Sequence, residues 1–208
     1  MYRVILCLVN IVFVVFADAN VFSQEKKLQA VIGGGISRFF GPAGIGKFYS
    51  IGLNGKVGAS YQFDPDLEFG IFAACNSFGI DAPTGMKIDG ATFTSLALFG
   101  EAKFYLLQYD SQKVANFYLS VAAGLGHSSV SDFTITTTES EDFLSANESA
   151  FLLAMGMGFR FKGTSTMGFF AEFHWDLLHT DDDLADLPVT ETKETQYGLL
   201  TVGIILLP

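Results

Sequence analysis

From Tyr49 to Phe63 the odd positions are apolar or small (Tyr49, Ile51, Leu53, Gly55, Val57, Ala59, Tyr61, Phe63), while the even ones are Ser50, Gly52, Asn54, Lys56, Gly58, Ser60 and Gln62. Period two marks a strand whose two faces meet different surroundings. The pattern recurs over 151–161, where Phe151, Leu153, Met155, Met157, Phe159 and Phe161 alternate with Leu152, Ala154, Gly156, Gly158 and Arg160. It returns over 167–177, with Phe169, Phe173 and Trp175 set against Phe170, Glu172, His174 and Asp176, and again over 115–125. Helical spacing fits none of these segments. Weaker alternation near 28–38, 67–77, 92–107 and 195–207 brings the count to about eight strands.

In a soluble barrel the apolar face points inward and the outer face carries long charged side chains. Here the second face is mostly Gly, Ala and Ser with a few charges, and the first is an unbroken row of Phe, Leu, Ile and Met. Small residues suit the cramped lumen of a narrow barrel, and large apolar rows suit a surface bathed in lipid. The row over 151–161 also has the length of a tilted spanning strand, about 9 to 11 residues. The links fall near 39–48, 63–66, 78–91, 108–113, 127–149, 163–166 and 179–194, alternately long and short. Short periplasmic turns and long external loops would put both termini in the periplasm. Tyr61, Phe63, Phe69, Phe104, Phe117, Phe159, Phe161 and Phe169 gather near the short turns as an interfacial girdle, and Tyr49, Phe151 and Trp175 are expected at the opposite rim.

Composition narrows the class further. Half of the 208 residues are hydrophobic and 16% are charged, which excludes a disordered chain, and 22 Gly with 5 Pro and no triplet period exclude collagen. A net charge of −10 argues against nucleic acid as a partner. The cationic start Met1–Arg3, the apolar run Val4–Phe16 broken by Asn10, and the small residues of Ala17-Asp18-Ala19 predict a cleavable secretory signal over 1–19, leaving 20–208 as the folded domain. The run is shorter than the roughly 20 residues of a helical span. Its removal takes Cys7 and leaves Cys75 alone, so no internal disulfide is expected in the exported compartment.

With strands, faces and loop parity in place, and Gly33-Gly34-Gly35 in the first strand, the chain resembles the small eight-stranded bacterial outer-membrane barrels over residues 28–207. These are the OmpA-like transmembrane domains and OmpX-type proteins. The resemblance implies an all-β, eight-stranded antiparallel up-and-down transmembrane barrel in the outer membrane. Such a barrel is a monomer, contacts outer-membrane lipids and lipopolysaccharide, and is inserted by the outer-membrane insertion machinery. Such barrels usually end in an aromatic residue, whereas this chain ends Ile204-Ile205-Leu206-Leu207-Pro208, and no peptidoglycan-binding domain is expected beyond it.

Parity collects Lys56, Glu68, Glu101, Lys103, Arg160, Lys162, Glu172, His174 and Asp176 on the lumen face. Buried charges of both signs must pair. The expectation is an ionic network in place of a hydrophobic core, with Phe72, Phe99, Tyr105, Tyr118 and Phe170 filling the rest. A narrow porin-like channel is the alternative. Arg160 is expected across from Phe170 and within reach of Glu172. No Cys or His pair has metal spacing and no cofactor is expected; Gly33-Gly34-Gly35 runs on into strand, so it is no phosphate cradle.

His127-Ser128-Ser129 resembles the His and Ser that lipid A deacylase barrels place near the outer leaflet, with His127 and Ser129 facing lipid together. Without a partnered acid, catalysis is the minor reading and no enzyme is expected. The loop stretch with Asp132, Glu139, Glu141, Asp142 and Glu148 has no base. The last long link sets Asp181, Asp182, Asp183, Asp186, Glu191 and Glu194 against Lys193. Such runs are usually solvated. The sharper expectation is that Asp181, Asp182 and Asp183 share divalent cations with lipopolysaccharide phosphates. The function read from this is envelope structure or surface interaction through acidic loops.

Overall fold

The computed structural model describes residues 28–41, 51–79, 87–89, 92–107, 114–131, 133–136, 140–143, 146–180 and 194–207. Within them lie eleven strands: β1 (Leu28–Gly41), β2 (Gly52–Asp64), β3 (Leu67–Gly79), β4 (Lys87–Asp89), β5 (Thr92–Tyr105), β6 (Ala115–Val130), β7 (Phe133–Thr136), β8 (Ser140–Phe143), β9 (Ala146–Phe161), β10 (Met167–Thr180) and β11 (Glu194–Leu206). Eight of them close an antiparallel barrel in the order β1-β11-β10-β9-β6-β5-β3-β2. No described helix is long and apolar enough to cross a membrane. The expected signal over 1–19, Tyr49 and the run 181–193 lie outside the described residues.

The alternation becomes the wall of this barrel. Along β5 and β6 buried and exposed positions alternate almost without exception, and the exposed ones are the large apolar rows. Leu53, Ile71 and Leu125 are 70%, 68% and 70% exposed, while Glu68, Glu101 and Glu172 are 2%, 3% and 2% exposed. A wall that shows leucine outward and hides glutamate inward is built for lipid, which offers backbone groups no partners and so requires a closed sheet.

The two ends differ. At the turn end, β2 meets β3 through Pro65-Asp66, where the Asp66 N–H donates to Asp64 Oδ1 at 2.8 Å, and β9 meets β10 through a turn in which the Thr164 N–H donates to the Met167 carbonyl at 2.7 Å. Tyr61, Phe63, Phe69, Phe104, Phe159, Phe161 and Phe169 are exposed there, and Phe117 packs on Phe159 at 5.0 Å between ring centroids. At the loop end the strands outrun their expected bounds. β6 continues to Val130 and β9 begins at Ala146, because ladder bonding persists after the apolar row has stopped. The long links 78–91 and 127–149 hold β4, β7 and β8, which form a separate sheet in the order β4-β7-β8. These pieces are too short for alternation to announce them. Trp175 stands opposite Gly198 and Met155, in the row that also holds Arg38, and Phe151 stands opposite His179; both aromatic rings are exposed on the outer face.

Candidate functional site

Every second residue of the barrel strands faces the lumen, and there the charges meet. Lys56, on β2, crosses it: Nζ donates to Glu101 Oε2 on β5 and to Glu172 Oε1 on β10, each at 2.8 Å. Tyr118 on β6 donates its hydroxyl to the other oxygen of Glu172 at 2.9 Å. Lys103 Nζ lies 3.7 Å from Glu172 and 3.9 Å from both Glu101 and Glu68. Glu68 in turn accepts from Tyr105 at 2.8 Å and from Arg160 Nη1 at 3.2 Å. His174 Nε2 lies 3.1 Å from Glu101 Oε1, and its Nδ1 lies 4.0 Å from Asp176. Among these residues three fixed cations face four carboxylates, and His174 is the member able to add a fourth positive charge.

Small neighbours make room for this network. A side chain at Gly158 would meet the Tyr118 ring at 2.6 Å, and one at Gly156 would meet the His174 ring at 2.6 Å. The glycines of β9 are therefore the places where two lumen groups cross. Aromatic faces shield the ammonium groups: Lys56 Nζ lies 4.3 Å from the Phe72 ring centroid and Lys103 Nζ 4.9 Å from that of Tyr118. Such contacts add to ion pairing once water is excluded.

The placement departs from expectation at three points. Lys162 is exposed in the turn after β9 and takes no place in the lumen. Arg160 is opposite Phe170 in register, yet its guanidinium reaches Glu68 on β3, because Glu172 is already engaged by Lys56 and Tyr118. The lumen also holds an apolar part that was not foreseen. Toward the loop end Phe39 packs on Phe78 at 4.5 Å, on Phe93 at 5.3 Å and on Tyr197 at 5.8 Å, with Leu152 and Leu178 in the same cluster. The Tyr197 hydroxyl spans the lumen to within 3.4 Å of both Asn76 Nδ2 and Ser95 Oγ. The ionic network does not replace a hydrophobic core; the two are stacked. Phe39 and Phe78 were missed because they lie just past the strand ends that alternation delimits.

Ligand atoms of Glu101, Glu172 and His174 lie within 4.8 Å of one another, a spacing suited to a metal ion. The Lys56 ammonium already stands against both carboxylates, so the cluster carries its own cation. His127 is exposed on the wall and faces Leu96 and Ser149 in register; Ser129 is half-buried, and Ser128 turns into the lumen. No hydrogen bond joins His127 to either serine. Asp181, Asp182 and Asp183 lie outside the described residues.

No family model matches the chain, and no curated protein matches it. Among solved structures it is similar to Neisserial surface protein A, with a TM-score of 0.53 and 16% identity over 86% of this chain and 94% of that one. A major outer membrane protein from Thermus thermophilus gives a TM-score of 0.50 and 12% identity over 87% of this chain and 99% of that one. The fold is that of the small outer-membrane barrels. At these identities the likeness is one of architecture, and it agrees with the inverted faces of the wall.

Proposed function

We propose that the chain is an integral protein of the bacterial outer membrane whose barrel is sealed, serving as a membrane anchor for its long links and acting through envelope structure or surface contact. The observation that carries this reading is the double closure of the lumen. Lys56 ties β2 to β5 and β10 across the interior, and the Phe39, Phe78, Phe93 and Tyr197 cluster stops the loop end. An ion entering would have to separate buried pairs and then pass an apolar constriction, and both steps are costly. Both termini are on the periplasmic side in this reading, the loop end faces outward, and the acidic links meet lipopolysaccharide through shared divalent cations. Insertion machinery and lipids are its partners, and the barrel works as a monomer without catalysis.

Planar-bilayer recording of the refolded full chain tests the seal. The expected record is flat. Steady, ion-selective conductance that changes with Glu101→Gln would replace this reading with the channel.

A further inference from the structure

The turn end of the lumen holds a patch of oxygens that no described donor satisfies. Gln29 on β1 and Ser60 on β2 are cross-strand partners, and Gln62 is the next lumen-facing residue of β2. They are 2%, 2% and 8% exposed, yet Gln29 Oε1, Ser60 Oγ and Gln62 Oε1 have no hydrogen-bond partner among the described residues. Directly opposed residues of a sheet have Cβ atoms about 5 Å apart, and same-face neighbours on one strand are about 7 Å apart. The three oxygens therefore belong to one small surface. The Gln62 amide nitrogen is already engaged, donating to the Asp64 carbonyl at 2.6 Å and the Leu67 carbonyl at 3.3 Å, so its oxygen is the atom left for the lumen.

Two observations define what such a patch takes. All three groups can accept, and buried acceptors left without donors are costly. The second observation is charge. Among the described residues of the network, Lys56, Lys103 and Arg160 face Glu68, Glu101, Glu172 and Asp176, one fixed cation short, and Glu68 stands opposite Gln62 in register. A primary ammonium answers both, because it offers three donors and one positive charge and accepts nothing.

We infer that this patch is the seat of the Lys27 ammonium, held by Gln29, Ser60 and Gln62 beside Glu68. Lys27 precedes the described residues, and β1 begins at Leu28, opposite Tyr61. Carried one residue further, the same register sets Lys27 opposite Gln62 and on the face of Gln29, at the mouth of the lumen. Its flexible four-carbon stem spans the distance to either glutamine. Lys26, one residue earlier, takes the outer face. The exposed acids of the β2–β3 turn, Asp64 and Asp66, are the competing seat, where the ammonium would stay in water. The buried patch matches it better, since its three oxygens equal the donors in number, whereas Asp64 Oδ1 already accepts from the Asp66 N–H. Seated inward, Lys27 fastens the start of β1 to β2 at the end opposite the aromatic stopper. The inference goes beyond the seal proposed above and holds whichever end of the barrel faces outward.

Competitive acetylation of the full chain tests the seat. The refolded barrel, checked by its shifted migration when unboiled, is treated with limiting light acetic anhydride, then unfolded and acetylated to completion with the heavy reagent. Fragment ions in the mass spectrometer separate Lys26 from Lys27. Lys27 is expected to react at least about tenfold more slowly than Lys26, the protection that one charge-assisted hydrogen bond supplies. Lys56 and Lys103, buried in the lumen, set the scale for a protected amine. Equal labelling of Lys26 and Lys27 in the folded barrel overturns the seat, whether the lysine stands free in water or at Asp64. A second measurement separates recognition from burial. Gln29→Leu is expected to lower the urea midpoint in the wild type, and to leave it unchanged or raise it in a Lys27→Met background, where the amide oxygen has lost its donor. A Gln29→Leu loss of the same size in both backgrounds would show that the oxygen serves something other than the ammonium, and would also overturn the site. Should Lys27→Met not fold, the labelling of the wild type decides.

Discussion

Lys56→Met keeps the stem of the side chain and removes the ammonium that stands 2.8 Å from Glu101 and Glu172. Both carboxylates stay behind, almost wholly buried. Removing one partner of a buried ion pair costs about 3 to 5 kcal/mol, most of it the penalty of the charge left alone. Two groups offset part of that here. Lys103 Nζ is already 3.9 Å from Glu101 and 3.7 Å from Glu172, and His174 touches Glu101 at 3.1 Å. The expected loss is therefore at the lower end, about 3 kcal/mol. Adding Glu172→Gln removes one stranded charge and recovers part of the loss, a coupling of about 1 to 3 kcal/mol in a double-mutant cycle. Urea unfolding in lipid vesicles, followed by Trp175 fluorescence and by migration of unboiled samples, measures both. A Lys56→Met protein that unfolds at the wild-type midpoint would refute the reasoning, as would a double variant whose loss is the plain sum of the single losses.

Other positions test the rest of the lumen and the wall. Tyr197→Phe is expected to cost about 1 kcal/mol, since its hydroxyl contacts at 3.4 Å are long, and Tyr197→Ala about 3 to 5 kcal/mol through the cavity it leaves. Equal losses would mean that the hydroxyl and not the ring closes the loop end. A Cβ at Gly35 would collide with the Leu200 backbone, whereas nothing lies within 4 Å of one at Gly55. Gly35→Ala should thus lower the yield of heat-modifiable barrel while Gly55→Ala changes stability by no more than about 0.5 kcal/mol, and similar yields for both would show that β1 and β11 adjust to the extra methyl.

The wall was legible because its signal is local. Period two with inverted faces can be read from Leu53 and Lys56 on one strand without knowing what lies beside it, and the alternation of long and short links gives the up-and-down order. The same parity put Lys56, Glu101 and Glu172 on one face. It could not pair them, because contacts across the lumen depend on how far the sheet is sheared when it closes, and no single strand records that quantity. Arg160 shows the consequence. Its cross-strand neighbour Phe170 follows from the length of the turn, but its ion-pair partner, Glu68, lies far away in sequence on β3. The aromatic stopper was hidden for another reason. Phe39 and Phe78 sit where the outer face is already losing its apolar row, so alternation ends the strands before them. β4, β7 and β8 leave no periodic trace because strands of three or four residues contain too few alternations to count.

The charged lumen does more for uniqueness than for stability. A buried ionic cluster roughly breaks even against well-packed apolar groups of the same volume, so its presence is not explained by its energy alone. In a lipid-bathed wall, however, an apolar lumen would give every strand two apolar faces. Sliding β2 or β5 by one residue against its neighbours would then exchange the faces at little cost. With the charges in place, the same slip carries Lys56 on β2, or Glu101 and Lys103 on β5, from the interior out toward lipid. A base at the bilayer midplane costs about 2 to 4 kcal/mol. It would also leave the cross-lumen partners of the moved groups, among them Glu172, buried without their cations. The glycines of β9 add a steric bar, because a slip of that strand sets Met157 or Phe159 where Gly156 and Gly158 now admit His174 and Tyr118. Register in this barrel is therefore held from the inside, by groups whose cost is low only in the one closure that pairs them.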